Sequence, residues 1–171
     1  ADSSGLLNNL QLPAINNNGT VVFNADSDTG GNGIFISNGG AITNFVDTSG
    51  PFSLVRGVSL NDNGTVAFGS DLDAGGEGIF TGPDPVADKV IATGDFLFDS
   101  TVTRLFAFSN NFLNNSGQIA FHAQLANGTR VIVRAEPVSE PPTAVPEPTS
   151  ILVLTAFGTL GMGLALKKKL R

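Results

Sequence analysis

The chain has 171 residues, with charged side chains at 14% where about a quarter is usual for a soluble domain, and it contains no cysteine, tryptophan or tyrosine. A cysteine nucleophile, a thiolate metal site and a disulfide framework are thereby excluded, while 21 glycines, 13 phenylalanines and 16 asparagines describe a turn-rich all-β protein. The net charge of -6 conceals a split: residues 1–145 carry 14 acidic and 5 basic side chains, whereas Lys167, Lys168, Lys169 and Arg171 cluster at the end, and the acidic body speaks against nucleic acid as a partner.

The body is a repeat. Laying residues 47–81 on residues 2–36, a shift of 45, matches 16 of 35 positions, among them Asn16, Gly19, Thr20, Val21 and Phe23 with Asn61, Gly64, Thr65, Val66 and Phe68. Gly33-Ile34-Phe35 falls on Gly78-Ile79-Phe80 in the same frame. A diverged third copy carries Asn114, Gly117, Ala120 and Phe121 at a shift of 53, and its Gly-Ile-Phe equivalent is Arg130-Val131-Ile132-Val133. The units run over about 2–46, 47–91 and 92–134. Periods of 40 to 45 residues with several short strands are those of propeller blades, whose units bury their faces only against neighbours.

Turn chemistry places the strands. Asn18-Gly19, Asn63-Gly64 and Ser116-Gly117 are hairpin turns in which glycine takes the positive φ of a two-residue or bulged loop. In the first unit they join a strand over 10–15 to one over 20–25, followed by strands over 33–37 and 41–46. Val21 and Phe23, Val66 and Phe68, and Ile119 and Phe121 point one way, while Val22, Ala67 and Ala120 point the other. Both faces are apolar, one bulky and one small, which suits sheets stacked on both sides. The expected fold is all-β: tandem four-stranded antiparallel repeats, propeller-like, partial or open, plus a C-terminal transmembrane helix.

Two acidic, glycine-rich loops recur in register. Asp26 and Asp28 precede Gly30-Gly31, and Asp71 and Asp73 precede Gly75-Gly76. Such oxygens can hold Ca²⁺ weakly, although the loops lack an EF-hand's bidentate glutamate; a solvated strand connection with Asp accepting local N–H bonds is the competing reading. The third copy has no carboxylate there. His122, the only histidine, has no Ser and Asp partners at any motif spacing and reads as a strand-end surface residue.

Beyond residue 134 the composition changes. Residues 135–150 hold five of the nine prolines, Pro137, Pro141, Pro142, Pro146 and Pro148, and read as an extended spacer. Residues 151–166 have no charge and are followed directly by the basic cluster 167–171. That stretch is a transmembrane helix if flanking residues and snorkelling lysines extend it, or else a buried core helix. The basic residues would keep the C-terminus cytoplasmic and place everything before Pro148 across the membrane.

Val145-Pro146-Glu147-Pro148-Thr149-Ser150, the apolar span and the Lys167-Lys168-Lys169-Leu170-Arg171 tail together resemble the PEP-CTERM sorting signal of Gram-negative bacteria that make exopolysaccharide. The resemblance covers about the last 27 residues. It implies that an exosortase reads Pro146, Glu147 and Pro148, and that the protein passes transiently through the inner membrane to the cell surface or extracellular matrix. The Asn-x-x-Gly-x-x-Ala-Phe pattern at Asn61 and Asn114, relaxed to Val22 in the first copy, resembles the tandem-repeat family named for NxxGxxAF with variable C-terminal anchors. That second resemblance spans residues 2–134 and implies no particular activity.

Three functional classes follow. The first is a non-catalytic surface or matrix protein that binds polysaccharide, cations or neighbouring proteins, and it is preferred because no catalytic constellation is visible. The second is a propeller-type glycan-active enzyme with acids among Asp26, Asp28, Asp71, Asp73, Asp95 and Asp99, which needs two carboxylates facing each other. The third is a membrane-held periplasmic sensor or assembly factor. Repeat phase adds an expectation: Asp2 aligns with Asp47, just after a fourth strand, while the third copy lacks its own fourth strand. Further units are therefore expected upstream, and residues 1–135 alone are expected to associate through open faces.

Overall fold

The computed structural model describes residues 5–29, 31–106 and 111–137, together with the backbone of 153–157. All of its regular structure is strand. The first sheet is a meander of β1 (Leu7–Ile15), β2 (Val21–Ser27), β3 (Asn32–Ser37) and β4 (Thr43–Asp47). The second repeats it with β5 (Phe52–Leu60), β6 (Val66–Leu72), β7 (Glu77–Phe80) and β8 (Lys89–Ala92). The third has β9 (Phe96–Leu97), β10 (Ser100–Phe106), β11 (Ile119–Leu125), β12 (Arg130–Glu136) and β13 (Val153–Phe157), in the spatial order β13-β12-β11-β10-β9. Every pairing is antiparallel.

The hairpins form as their residues dictate. Gly19, Gly64 and Gly117 take φ of 79°, 84° and 76°. Each turn closes with two bonds: Gly19 N–H donates to Asn16 C=O at 3.0 Å while Asn16 N–H donates to Thr20 C=O at 3.1 Å, and Asn61 and Asn114 repeat the pattern. That is a type I turn followed by a glycine bulge. The glycine of Gly-Ile-Phe answers a different need: a Cβ on Gly33 would lie 2.8 Å from the Val46 carbonyl, and one on Gly78 would lie 2.6 Å from the Phe80 ring.

Alternation then decides which sheet each side chain meets. Val22, Ile34 and Val46 on one face of the first sheet join Phe52, Val58, Val66, Phe68 and Phe80 of the second in one core. Ala67, Ile79 and Ile91, on the opposite face of the second sheet, join Val102, Leu105, Ile119, Phe121, Ala123 and Val133 of the third. The second repeat thus turns its bulky side to the preceding sheet and its small side to the following one, and the third likewise turns Ile119 and Phe121 to the sheet before it. Burying a phenylalanine such as Phe68 in this way contributes roughly 1.5–3 kcal/mol. Phe52, Phe68 and Phe80 meet with centroids 5.0–5.9 Å apart, partly edge to face.

The C-terminal segment departs from expectation. Within residues 151–166, read from sequence as a transmembrane helix, the described stretch Val153–Phe157 is strand β13, with Ile132 opposite Phe157 and Glu136 opposite Val153. It occupies the fourth-strand position of the third repeat, which the sequence left vacant. Two physical reasons combine: β12 otherwise ends the sheet with unpaired N–H and C=O groups, and Val, Thr and Phe favour strand. No helix among the described residues is long and apolar enough to cross a membrane. Pro146, Glu147, Pro148, Lys167, Lys168, Lys169 and Arg171 lie outside the described residues.

Candidate functional site

The repeat-motif asparagines are structural and act between repeats. Asn16 Oδ1 accepts the N–H groups of Asn18 and Thr20 at 3.1 and 2.9 Å, which holds its own turn. Its Nδ2 donates to the Asn61 carbonyl at 3.0 Å, and Asn61 Nδ2 donates in turn to the Asn114 carbonyl at 3.2 Å. The ladder stops at the third rung, where Asn114 Nδ2 donates to Gln118 Oε1 at 2.7 Å within its own turn. Alongside it, the Asp62 carboxylate accepts from Asn17 N–H, Asn17 Nδ2 and Asn115 Nδ2 at 2.7–2.8 Å, so one side chain ties all three turns. The Asn17 N–H bond foremost, with the Asn17 and Asn115 amides, holds the Asp62 carboxyl below the usual 3.8. The motif phenylalanines are core residues: Phe68 sits between the first and second sheets, Phe121 between the second and third, and Phe23 in a small cluster with Ala25 and Phe35.

A second set of cross-sheet bonds starts where β3 and β7 begin. Asn32 Oδ1 accepts Val55 N–H at 3.2 Å, and Glu77 Oε1, the repeat equivalent, accepts Leu105 N–H at 2.6 Å. The third equivalent is Arg130, a cation where the earlier repeats carry an acceptor.

These bonds border a cleft of about 570 Å³ between β1, β5 and β10, each of which carries a register irregularity. Such bulges turn side chains out of a regular ladder. The first sheet lines the cleft with Asn24, Asp26 and Asn32, the second with Val55, Arg56 and Glu77, and the third with Arg104, Leu105 and Phe106. Asn24 is 4% exposed; its Nδ2 donates to the Val55 carbonyl at 3.3 Å, but its Oδ1 has no partner. A buried acceptor left without a donor costs about 1–3 kcal/mol, and the residue that carries this one is part of the cleft lining.

Four of the carboxylates named from sequence accept protein donors. Asp26 accepts from Asn9 and Asn32 at 3.0 and 3.1 Å, Asp28 from Asn8, Asp71 from Arg56, and Asp95 from Lys89 Nζ and Ala92 N–H at 2.7 and 2.8 Å. Asp73 donates its N–H to Pro51 C=O at 3.0 Å, and Asp99 sits in a turn at φ 59°. Among the described residues no three His, Asp or Glu side chains converge as a metal site would require. Of this set only Asp26 reaches the cleft.

On the face of the third sheet away from the second, two rows cross the strands: Arg104, Gln124 and Arg130, and beside them Phe106, His122 and Ile132. His122 stacks on Phe106 with centroids 4.6 Å apart. The guanidinium carbons of Arg104 and Arg130 lie 5.1 and 5.3 Å from the same ring. Cations attracted by a ring's π face account for both approaches. Arg56, Lys89 and Arg134 all pair with carboxylates, whereas Arg104 and Arg130 have none among the described residues. Asn24, Arg104, Arg130 and Phe106 escaped the sequence reading. For Asn24 and Arg130 a signal was available in the repeat alignment, where Asn24, Gly69 and His122 share one position, and Asn32, Glu77 and Arg130 share another.

No family model, curated protein or solved structure matches this chain. What the fold defines is an all-β array of three sheet repeats.

Proposed function

We propose that the chain is an exported cell-surface or matrix repeat protein with a non-catalytic binding and structural role, built as an open, propeller-like array and sorted by an exosortase through Pro146, Glu147 and Pro148. The observation that carries this reading is the asparagine ladder. Residues repeated most faithfully in the sequence bond repeat to repeat, as a displayed scaffold requires. The cleft acids support it as well, since Asp26 and Glu77 accept protein donors and serve shape.

In this reading residues 151–166 have two partners. In water its residues Val153–Phe157 pair with the β12 edge as β13. In lipid it becomes a helix, because hydrocarbon offers unpaired strand groups no donors or acceptors, and Lys167, Lys168, Lys169 and Arg171 stop it at the cytoplasmic face.

The test is replacement of Pro146, Glu147 and Pro148 by alanine in the native host, followed by intact-mass measurement of the exported protein. The expected result is export with the segment 151–171 retained, against its removal from the wild-type chain. Identical processing of both would overturn the sorting role.

A further inference from the structure

We propose that the cleft and the arginine platform beside it form one binding site for an acidic saccharide, a polyhydroxylated chain bearing carboxylates such as a uronate glycan. The proposal deepens the binding role above by naming the ligand class.

Three observations converge. Arg104 and Arg130 lack carboxylate partners among the described residues in a body of acidic balance, yet both gather over the Phe106 ring, with guanidinium carbons no more than about 10 Å apart. Two like charges held together repel, and a bound anion relieves that repulsion. A guanidinium held near a ring by its π electrons and without a carboxylate partner keeps N–H groups for bidentate bonds to a carboxylate. Second, Asn24 lines the same cleft as Arg104 and Phe106 and its buried Oδ1 has no donor among the described residues; a sugar hydroxyl that opens the approach to that atom gains an acceptor that none of those residues uses. Third, the walls offer amides, with Gln11 in the cleft and Gln124 between the two arginines, which suits hydroxyls.

The charge pattern selects among anions. Nucleic acid and anionic lipid surfaces are held by runs of many cations, whereas here two stand in an acidic surround. A ligand whose carboxylates alternate with hydroxyls that the amide side chains can meet fits better.

The full-length chain, kept in zwitterionic detergent because of its apolar tail, is titrated with hexagalacturonate and, in parallel, with neutral maltohexaose, single-stranded DNA and vesicles containing phosphatidylglycerol. Hexagalacturonate is expected to bind at least about tenfold more tightly than maltohexaose, with affinity falling about tenfold in Arg104→Gln and in Arg130→Gln and melting temperature unchanged. Asn24→Leu should weaken binding of the uronate and Phe106→Leu should do the same. Equal binding of the neutral sugar, DNA or vesicles as tight as the uronate, or arginine variants that bind like the wild type would each overturn the site. Cleavage of hexagalacturonate, read as new chain ends, would instead overturn the non-catalytic reading while leaving the site in place.

Discussion

The first and second sheets are near copies in sequence but sit in different surroundings. Phe68 and Phe80 are fully buried because the first sheet covers them, and Phe45 of β4 reaches Phe68 edge to face at 6.3 Å. Their counterparts Phe23 and Phe35 are 8% and 7% exposed, stack on each other at 6.0 Å, and among the described residues form a small cluster with Ala25, Leu7 and Val21. Local sequence therefore makes the same strand in both repeats, while burial depends on which neighbour the repeat has. The second sheet is the keystone, with apolar partners on both faces.

The largest expected effect tests that contrast directly. Phe68→Ala should cost about 3–5 kcal/mol, whereas Phe23→Ala should cost roughly 1–3 kcal/mol less, since its cavity opens towards solvent and can collapse or fill. Urea unfolding of the full-length variants measures both, and equal losses would show that the first sheet's outer face is covered in solution.

A smaller difference is expected along the asparagine ladder. Asn61→Ala removes the turn cap and the rung to Asn114, leaving buried groups unpaired at a cost of about 1–3 kcal/mol. Asn114→Ala removes only bonds within its own turn and should cost less. A reversed order in thermal melting would mean that the turns, and not the contacts between repeats, set the stability.

The smallest effect is electrostatic. Because the folded Asp62 carboxyl titrates below 3.8, its contribution is present above that pH and is lost as pH falls through the folded value. The wild type should therefore melt higher than Asp62→Asn near neutral pH, with the gap closing as acid takes the pH below 3.8 and through the folded value. A gap independent of pH would assign the effect to hydrogen-bond geometry alone. The carboxyl of Asp47, held down by Ser49, and that of Asp84, held down by Ala87, persist in the variant and give both proteins a common acid slope.

Much of this architecture was legible because it is local. Strands read over 20–25 and 33–37 appear as Val21–Ser27 and Asn32–Ser37, since an Asn-Gly turn and period-two alternation act within a few residues. The bulky and small faces were legible for the same reason. What lay beyond reach depends on contacts across tens of residues. Asp26 was grouped with Asp28 as a loop acid, yet alternation sends it into the cleft with Asn24, while Asp28 turns to Asn8. His122 looked like an isolated surface histidine until the register of β10 against β11 set it on Phe106.

By itself, then, the sequence determined the all-β class, the repeat frame, the hairpin turns and the alternation of faces, because backbone sterics and side-chain period need no distant partner. Only the tertiary structure decided that the motif asparagines bind neighbouring turns, that Arg104 and Arg130 meet over one ring, and that Val153–Phe157 completes the third sheet. Those outcomes rest on which strand edges and faces remain open once the sheets have stacked, and an open edge or face is filled by whatever apolar or hydrogen-bonding segment of the chain can reach it.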